Sequence, residues 1–117
     1  MESIAYKIEA ASAWALAKQI GIYHGSPLDK ADGFIHLSAL AQLQRTFELY
    51  FDGQSDLIVA TIDLDKISNM VKWEASRGGA LFPHIYGSLP MSAVLCVHPI
   101  LNENGQYALP KAIMELL

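Results

Sequence analysis

The six residues Leu57-Ile58-Val59-Ala60-Thr61-Ile62 constrain the fold more than any other stretch of the chain. They are apolar at both alternating sets of positions, the pattern of a strand covered on both faces. The segment therefore predicts the middle of a sheet with packed layers on each side. A chain of 117 residues has room for one such core, and residues 1–117 are expected to form a single domain.

Elements predicted around that strand alternate in type. Ile4-Ala5-Tyr6-Lys7-Ile8 has the length and branching of a short strand. Ser12 is placed to cap a helix whose apolar face is Trp14, Leu16, Ala17 and Ile20, with Gly21 as its stop. Residues 23–33 read as turn-rich. Gly33-Phe34-Ile35-His36-Leu37-Ser38 is a second short strand ending at a helix cap, and Leu40, Leu43, Phe47, Tyr50 and Phe51 share one helical face until Asp52-Gly53. Val71 to Glu74 is expected to be extended, Arg77-Gly78-Gly79-Ala80 a loop, and Ala93 to Ile100 another inner strand. Asn102-Glu103-Asn104-Gly105 is a hairpin-type turn signal leading to a short strand at Gln106-Tyr107-Ala108. Helices come early and strands later, which argues for an α+β domain with a curved, mostly antiparallel sheet and two main helices near the N-terminus.

Composition narrows the functional classes. Hydrophobic residues make up 52% of the chain and charged ones 17%, too apolar a balance for intrinsic disorder. Twelve acidic against eight basic side chains leave a net charge of -4 and no basic stripe. Extended nucleic-acid binding is disfavoured on that ground, whereas a compact anionic ligand is not. The start of the chain lacks the basic and apolar regions of a signal peptide, and no run approaches the roughly eighteen apolar residues of a membrane span. The expectation is a soluble, cytoplasmic protein with no membrane role. Cys96 lies in the apolar run Val94-Leu95-Cys96-Val97, which predicts a buried thiol in a reducing compartment. A Cys96–His98 nucleophile is the other reading, although residues two apart on a strand share a face without bringing the base to the sulfur.

With so few charges, ionisable residues in apolar or glycine-rich surroundings carry the most information. His36 points to the same strand face as Phe34 and Ser38, just before a helix, and this pair suits a phosphate or ribose contact. The competing reading is a core histidine satisfied by a backbone carbonyl, with Ser38 only capping the helix. A second cluster runs from Trp73-Glu74 through Arg77-Gly78-Gly79 to Phe82-Pro83-His84-Ile85-Tyr86-Gly87. There Glu74 can accept from a hydroxyl, Arg77 can grip a phosphate with two parallel bonds, and the glycines allow backbone to approach a ligand. Its competing reading is an ordered loop with a Glu74–Arg77 surface ion pair over packed His84 and Tyr86. The four histidines show no metal-ligand spacing, so no metal is expected. Gly-x-Ser-x-Gly and glycine-rich phosphate-loop motifs are absent too.

Ile4-Ala5-Tyr6-Lys7-Ile8, Asp32-Gly33-Phe34-Ile35-His36-Leu37-Ser38, Asp56-Leu57-Ile58, Trp73-Glu74 with Arg77-Gly78-Gly79, and Leu81-Phe82-Pro83-His84-Ile85-Tyr86-Gly87 together resemble bacterial proteins grouped as domain of unknown function 952. The resemblance runs from about residue 4 to about residue 100. That family is similar in fold to the ADP-ribosyltransferases and especially to the NAD-dependent RNA 2'-phosphotransferases, which implies a split, mostly antiparallel sheet around an NAD-shaped cleft. Ile35-His36-Leu37-Ser38 matches the second motif of those enzymes. For their Tyr-His-Gly-Thr first motif, Tyr23-His24-Gly25-Ser26 is the better match in letters and Tyr6-Lys7 the better match in topology. Glu74 is the candidate for the glutamate at their third position.

Two functions follow from the resemblance. One is an NAD-dependent ADP-ribosyl or phosphoryl transferase: Lys7, His36 and Ser38 hold the ribose and pyrophosphate, and Arg77 holds phosphate. His84 and Tyr86 then lie against the cofactor, with Tyr86 stacking on a ring, while Glu74 and His36 carry the chemistry through a cation-like transition state. The other is a binding module for a nucleotide or an ADP-ribose-like ligand that keeps the cleft without the chemistry. Lys7 in place of histidine at the first motif favours the second, because an ammonium cannot reproduce a neutral imidazole.

Overall fold

A computed structural model describes residues 2–103 and 106–117, with residues 102 and 103 described by backbone alone. The chain opens with β1 (Ile4–Ala10), α1 (Ala11–Ile20), β2 (Ile22–Tyr23) and α2 (Pro27–Asp32). Next come β3 (Ile35–His36), α3 (Leu40–Tyr50), β4 (Leu57–Asp63) and β5 (Val71–Ala75). The last part holds β6 (Leu81–Ile85), β7 (Leu89–Pro90), β8 (Val94–Pro99), β9 (Leu101–Glu103), β10 (Gln106–Ala108) and α4 (Lys111–Met114).

Two three-stranded antiparallel sheets carry the fold, one in the order β1-β4-β8 and the other β3-β6-β5. The pairs β2-β7 and β9-β10 are antiparallel as well. The α+β class and antiparallel pairing read from the sequence hold. β4 is the covered central strand: Ile58, Ala60 and Ile62 enter one cluster with Ala5, Trp14 and Ala17, while Leu57 and Val59 enter another with Tyr6, Ile8, Leu43 and Phe47. Among the described residues one bridge joins the two sheets: Tyr6 N–H donates to Ser38 O at 2.8 Å and Ser38 N–H to Tyr6 O at 2.9 Å. This bridge sets the residues after Tyr6 beside those before Ser38.

Several expectations are corrected. Ser12 lies inside α1, whose N-cap is Ala10 with no side-chain cap. Trp14 and Ala17, three apart, face the core, whereas Leu16 and Ile20, four apart on the other side, are 58% and 62% exposed. Residues 23–33 contain an element rather than only turns: Ser26 and Asp29 form a reciprocal capping box, Pro27 occupies the first turn, and Gly33 ends α2 at φ +88°. Ser38 caps nothing, because the N-cap of α3 is Ala39. Among the described residues β8 is an edge strand paired only with β4, and Leu95, Cys96 and Val97 are exposed rather than inner, so the thiol is not buried. β10 forms where expected, while Asn104-Gly105 lies outside the described residues. No helix among the described residues is long and apolar enough to cross a membrane.

Candidate functional site

Where the two sheets meet, a cleft of about 520 Å³ opens, within the range of small-ligand pockets. β1 contributes Tyr6, Lys7 and Glu9, β3 contributes His36, the residues after it contribute Ser38, α3 contributes Thr46 and Tyr50, and Arg77, Phe82 and His84 complete the lining. Lys7, His36, Ser38, Arg77 and His84 are thus five sequence-predicted residues on one wall system. Glu74 and Tyr86 are not among the lining residues; they stand behind His84.

Asp29, which sequence reasoning missed, organises the first part of the site. It is 2% exposed, and its carboxylate receives Lys7 Nζ at 2.8 Å, His36 Nδ1 at 2.6 Å, the His36 backbone N–H at 3.1 Å and the Ser26 N–H at 2.9 Å. Burial works against its charge. The Lys7 ammonium, together with the bonds from Lys7, Ser26 and His36, outweighs that effect and holds the carboxyl below its ordinary range. Lys7 also donates to His36 O at 2.9 Å, so its three N–H groups are largely committed to the protein. His36 Nε2 lies 3.0 Å from Asp32 Oδ2, a carboxylate at the exposed rim. The Ser26-x-x-Asp29 spacing of a capping box was the available sequence signal for Asp29.

The second part is built on β5 and β6. Lys72 and His84 are register partners, and two residues on, Glu74 faces Phe82. Glu74 Oε1 accepts from Tyr86 Oη at 2.7 Å and meets His84 Nδ1 at 2.8 Å. The Tyr86 bond and then the His84 bond hold the Glu74 carboxyl below its ordinary range, and the same contact raises the Tyr86 hydroxyl. The Phe34 ring stacks on His84 at 4.1 Å and 23° between planes, and lies 4.6 Å from the His36 ring and 5.3 Å from Tyr86. Phe34 is a second residue that sequence reasoning left without a role.

Arg77 is held differently from either reading of the sequence. Its Nη1 donates to Thr46 Oγ1 at 3.3 Å, Thr46 Oγ1 is 3.1 Å from Ser38 Oγ, and the guanidinium lies 4.9 Å from the Phe82 ring centre. No Glu74–Arg77 ion pair forms among the described residues. Gly78 and Gly79, at φ +69° and +80°, make the turn from β5 to β6 and are not among the lining residues. Of the two first-motif candidates, Lys7 lines the cleft, while His24 lies outside the lining with Nδ1 2.7 Å from Ser88 Oγ. Among the described residues no group of three or more His, Cys, Asp or Glu side chains is arranged to hold a metal ion.

The arrangement offers the remaining N–H groups of Arg77 as donors, the Ser38 and Thr46 hydroxyls linked to each other and to Gln42 O beside it, the imidazole of His84, acceptors at Asp32 and Glu9, and apolar walls from Ile8, Leu37 and Phe82. Similar proteins carry the same fold. The crystal structure of protein CC0527 from Caulobacter crescentus superposes with a TM-score of 0.87 at 40% identity, covering 95% of this chain and 98% of that one. The solution NMR structure of CC0527 superposes with a TM-score of 0.79 at 40% identity, covering 91% of each. No curated protein matches the chain. Residues 8–97, which include every lining residue named above except Tyr6 and Lys7, match the family described as "Protein of unknown function (DUF952)", and the chain belongs to that family.

Proposed function

We propose that the cleft binds a compact ribonucleotide-type ligand carrying phosphate, with ADP-ribose and NAD as the compounds to which the motif resemblance points. The observation that carries this reading is the placement of Arg77, with N–H groups beyond the one it gives to Thr46, in the same cavity as the carboxylates of Asp32 and Glu9: the guanidinium suits phosphate and the carboxylates suit ribose hydroxyls. A volume of about 520 Å³ suits a ligand of nucleotide size. The low positive charge of the chain agrees with one or two phosphates rather than a polyanion.

Binding is better supported than ADP-ribosyl transfer. Transfer needs a glutamate facing the ribose, and Glu74 instead accepts from Tyr86 and His84 behind the lining. Lys7, at the first-motif position, is engaged by Asp29 and His36 O. Titration calorimetry with ADP-ribose, NAD and nicotinamide tests the reading. The expected result is a bound nucleotide whose affinity falls roughly ten- to a hundredfold in Arg77→Ala, the loss of about 1.5–3 kcal/mol usual for a charged hydrogen bond, with no nicotinamide released from NAD. Release of nicotinamide that Glu74→Gln abolishes returns the transferase reading, and absence of binding by every compound overturns both.

A further inference from the structure

His36 and His84 are direct register partners on β3 and β6, so antiparallel pairing holds their side chains on one face of the sheet. Their ring centres are 5.5 Å apart with planes at 71°. Each Nδ1 is tied to a different carboxylate, His36 to Asp29 at 2.6 Å and His84 to Glu74 at 2.8 Å, and both rings line the cleft. A carboxylate on Nδ1 fixes tautomer and orientation and turns Nε2 outward as the working nitrogen. His84 is 4% exposed, yet among the described residues its Nε2 has no hydrogen-bond partner. A buried, oriented imidazole with an open nitrogen in a pocket is the group to expect where a proton is moved.

From these contacts we infer that the paired imidazoles form a general acid–base couple that hydrolyses a nucleoside 2',3'-cyclic phosphate bound in the cleft. This deepens the nucleotide-binding reading and rests on it. The roles follow from hydrogen-bond bookkeeping. His84 donates Nδ1–H to Glu74 and keeps a lone pair on Nε2, so it is the base. His36 has a carboxylate oxygen against each ring nitrogen, Asp29 on Nδ1 and Asp32 on Nε2, so its Nε2 is placed to donate and takes the role of the acid.

In the step, His84 Nε2 takes a proton from water as the water oxygen bonds to phosphorus. The bond from phosphorus to the 2' oxygen breaks, and that oxygen takes the proton of His36 Nε2. The product is the 3'-monophosphate, and the two rings regain their starting states by exchanging protons with solvent. The substrate displaces Asp32, whose side chain is 44% exposed. With ring centres 5.5 Å apart, the step requires each Nε2 to reach a different oxygen around one phosphorus at an ordinary hydrogen-bond length of roughly 2.7–3.2 Å. Arg77, with N–H groups beyond the one given to Thr46, faces the charge that grows on the remaining oxygens. Glu74 and Asp29 touch no substrate and are positioning residues.

The test incubates the intact chain with uridine 2',3'-cyclic phosphate, follows 3'-monophosphate by chromatography, and measures binding of uridine 3'-monophosphate by calorimetry. Expected is turnover that falls on the order of 10²–10⁴-fold in His84→Ala and His36→Ala, with KM nearly unchanged. Added imidazole should restore part of the His84→Ala rate. Glu74→Gln should lower kcat while leaving KM and the melting temperature close to those of the parent chain, a split that a merely structural role would not produce. His84→Gln, which preserves volume, replaces the alanine variant if that one does not fold. Binding without turnover overturns the acid–base couple and leaves the nucleotide-binding reading standing. Turnover that persists in both histidine variants overturns the couple too, and failure to bind any nucleotide overturns both readings.

Discussion

At the scale of single residues, the site depends on one carboxylate whose charge is kept by its neighbours. Asp29 sits among Lys7, His36 and Ser26, and breaking a buried pair on one side leaves the other charge without a partner. Asp29→Asn is therefore expected to cost about 3–5 kcal/mol in urea unfolding. Lys7→Met with Asp29→Asn should cost less than Asp29→Asn alone, because the stranded ammonium is gone; a double-mutant cycle reads the difference. The pH dependence has a definite sign. The Asp29 carboxyl is lowered in the folded state, so the unfolded chain binds its proton first as pH falls. Its contribution is complete above about pH 5, beyond the unfolded value near 3.9, and drains away as pH drops through the folded value. Stability measured from pH 6 to pH 3 should fall in the parent chain and fall less in Asp29→Asn. An unchanged slope would assign the acid sensitivity elsewhere.

At the scale of elements, α2 delivers Asp29 and the loop before it has no slack. Gly25 has φ +104°, and a Cβ there would lie 2.8 Å from Asp29 Cβ and 3.4 Å from Ile35 Cγ1. Gly21 has φ +94° but nothing within 4 Å of the added atom. Gly21→Ala should cost only the left-handed penalty of about 1–2 kcal/mol. Gly25→Ala should exceed that, since α2 must also shift, and should weaken nucleotide binding while Gly21→Ala leaves it intact; thermal melts and calorimetry on the two variants decide. The same loop shows why part of the site was illegible. His36, Ser38, Arg77 and His84 stood out as polar letters in apolar or glycine-rich strings, and the structure brings all four to one cleft. Asp29 stood among turn-forming residues where an acid is ordinary, and only its reach back to the Ser26 N–H and across to Lys7 sets it apart. Glu74 was read as a ligand contact, but the strand it occupies pairs with the His84 strand, which puts it within reach of the imidazole and behind the lining.

For the whole molecule, what decided each strand's environment was its place in the sheet order, and a local apolar run does not encode that place. Leu57–Ile62 and Val94–Val97 look alike in sequence. The first has β1 on one side and β8 on the other and contributes to both core clusters; the second has, among the described residues, β4 alone. The run at β8 therefore leaves Leu95, Cys96 and Val97 exposed, and Pro99, with no N–H to offer, interrupts the open edge at the strand's end. Substitution tells the two strands apart: Leu95→Lys, at an exposed position, should change stability by no more than about 0.5 kcal/mol, whereas Val59→Lys would bury a charge in the core cluster that also holds Tyr6, Leu43 and Phe47 and unfold the chain. Thiol chemistry reports the same topology without mutation. If Cys96 is exposed as the edge position requires, a maleimide labels it in native buffer at nearly the rate seen in urea. A thiol buried in an inner strand would wait for unfolding and react slower by on the order of a thousandfold or more. Mass spectrometry over a time course separates the two, and labelling that needed denaturant would place β8 inside the molecule and overturn the sheet order β1-β4-β8.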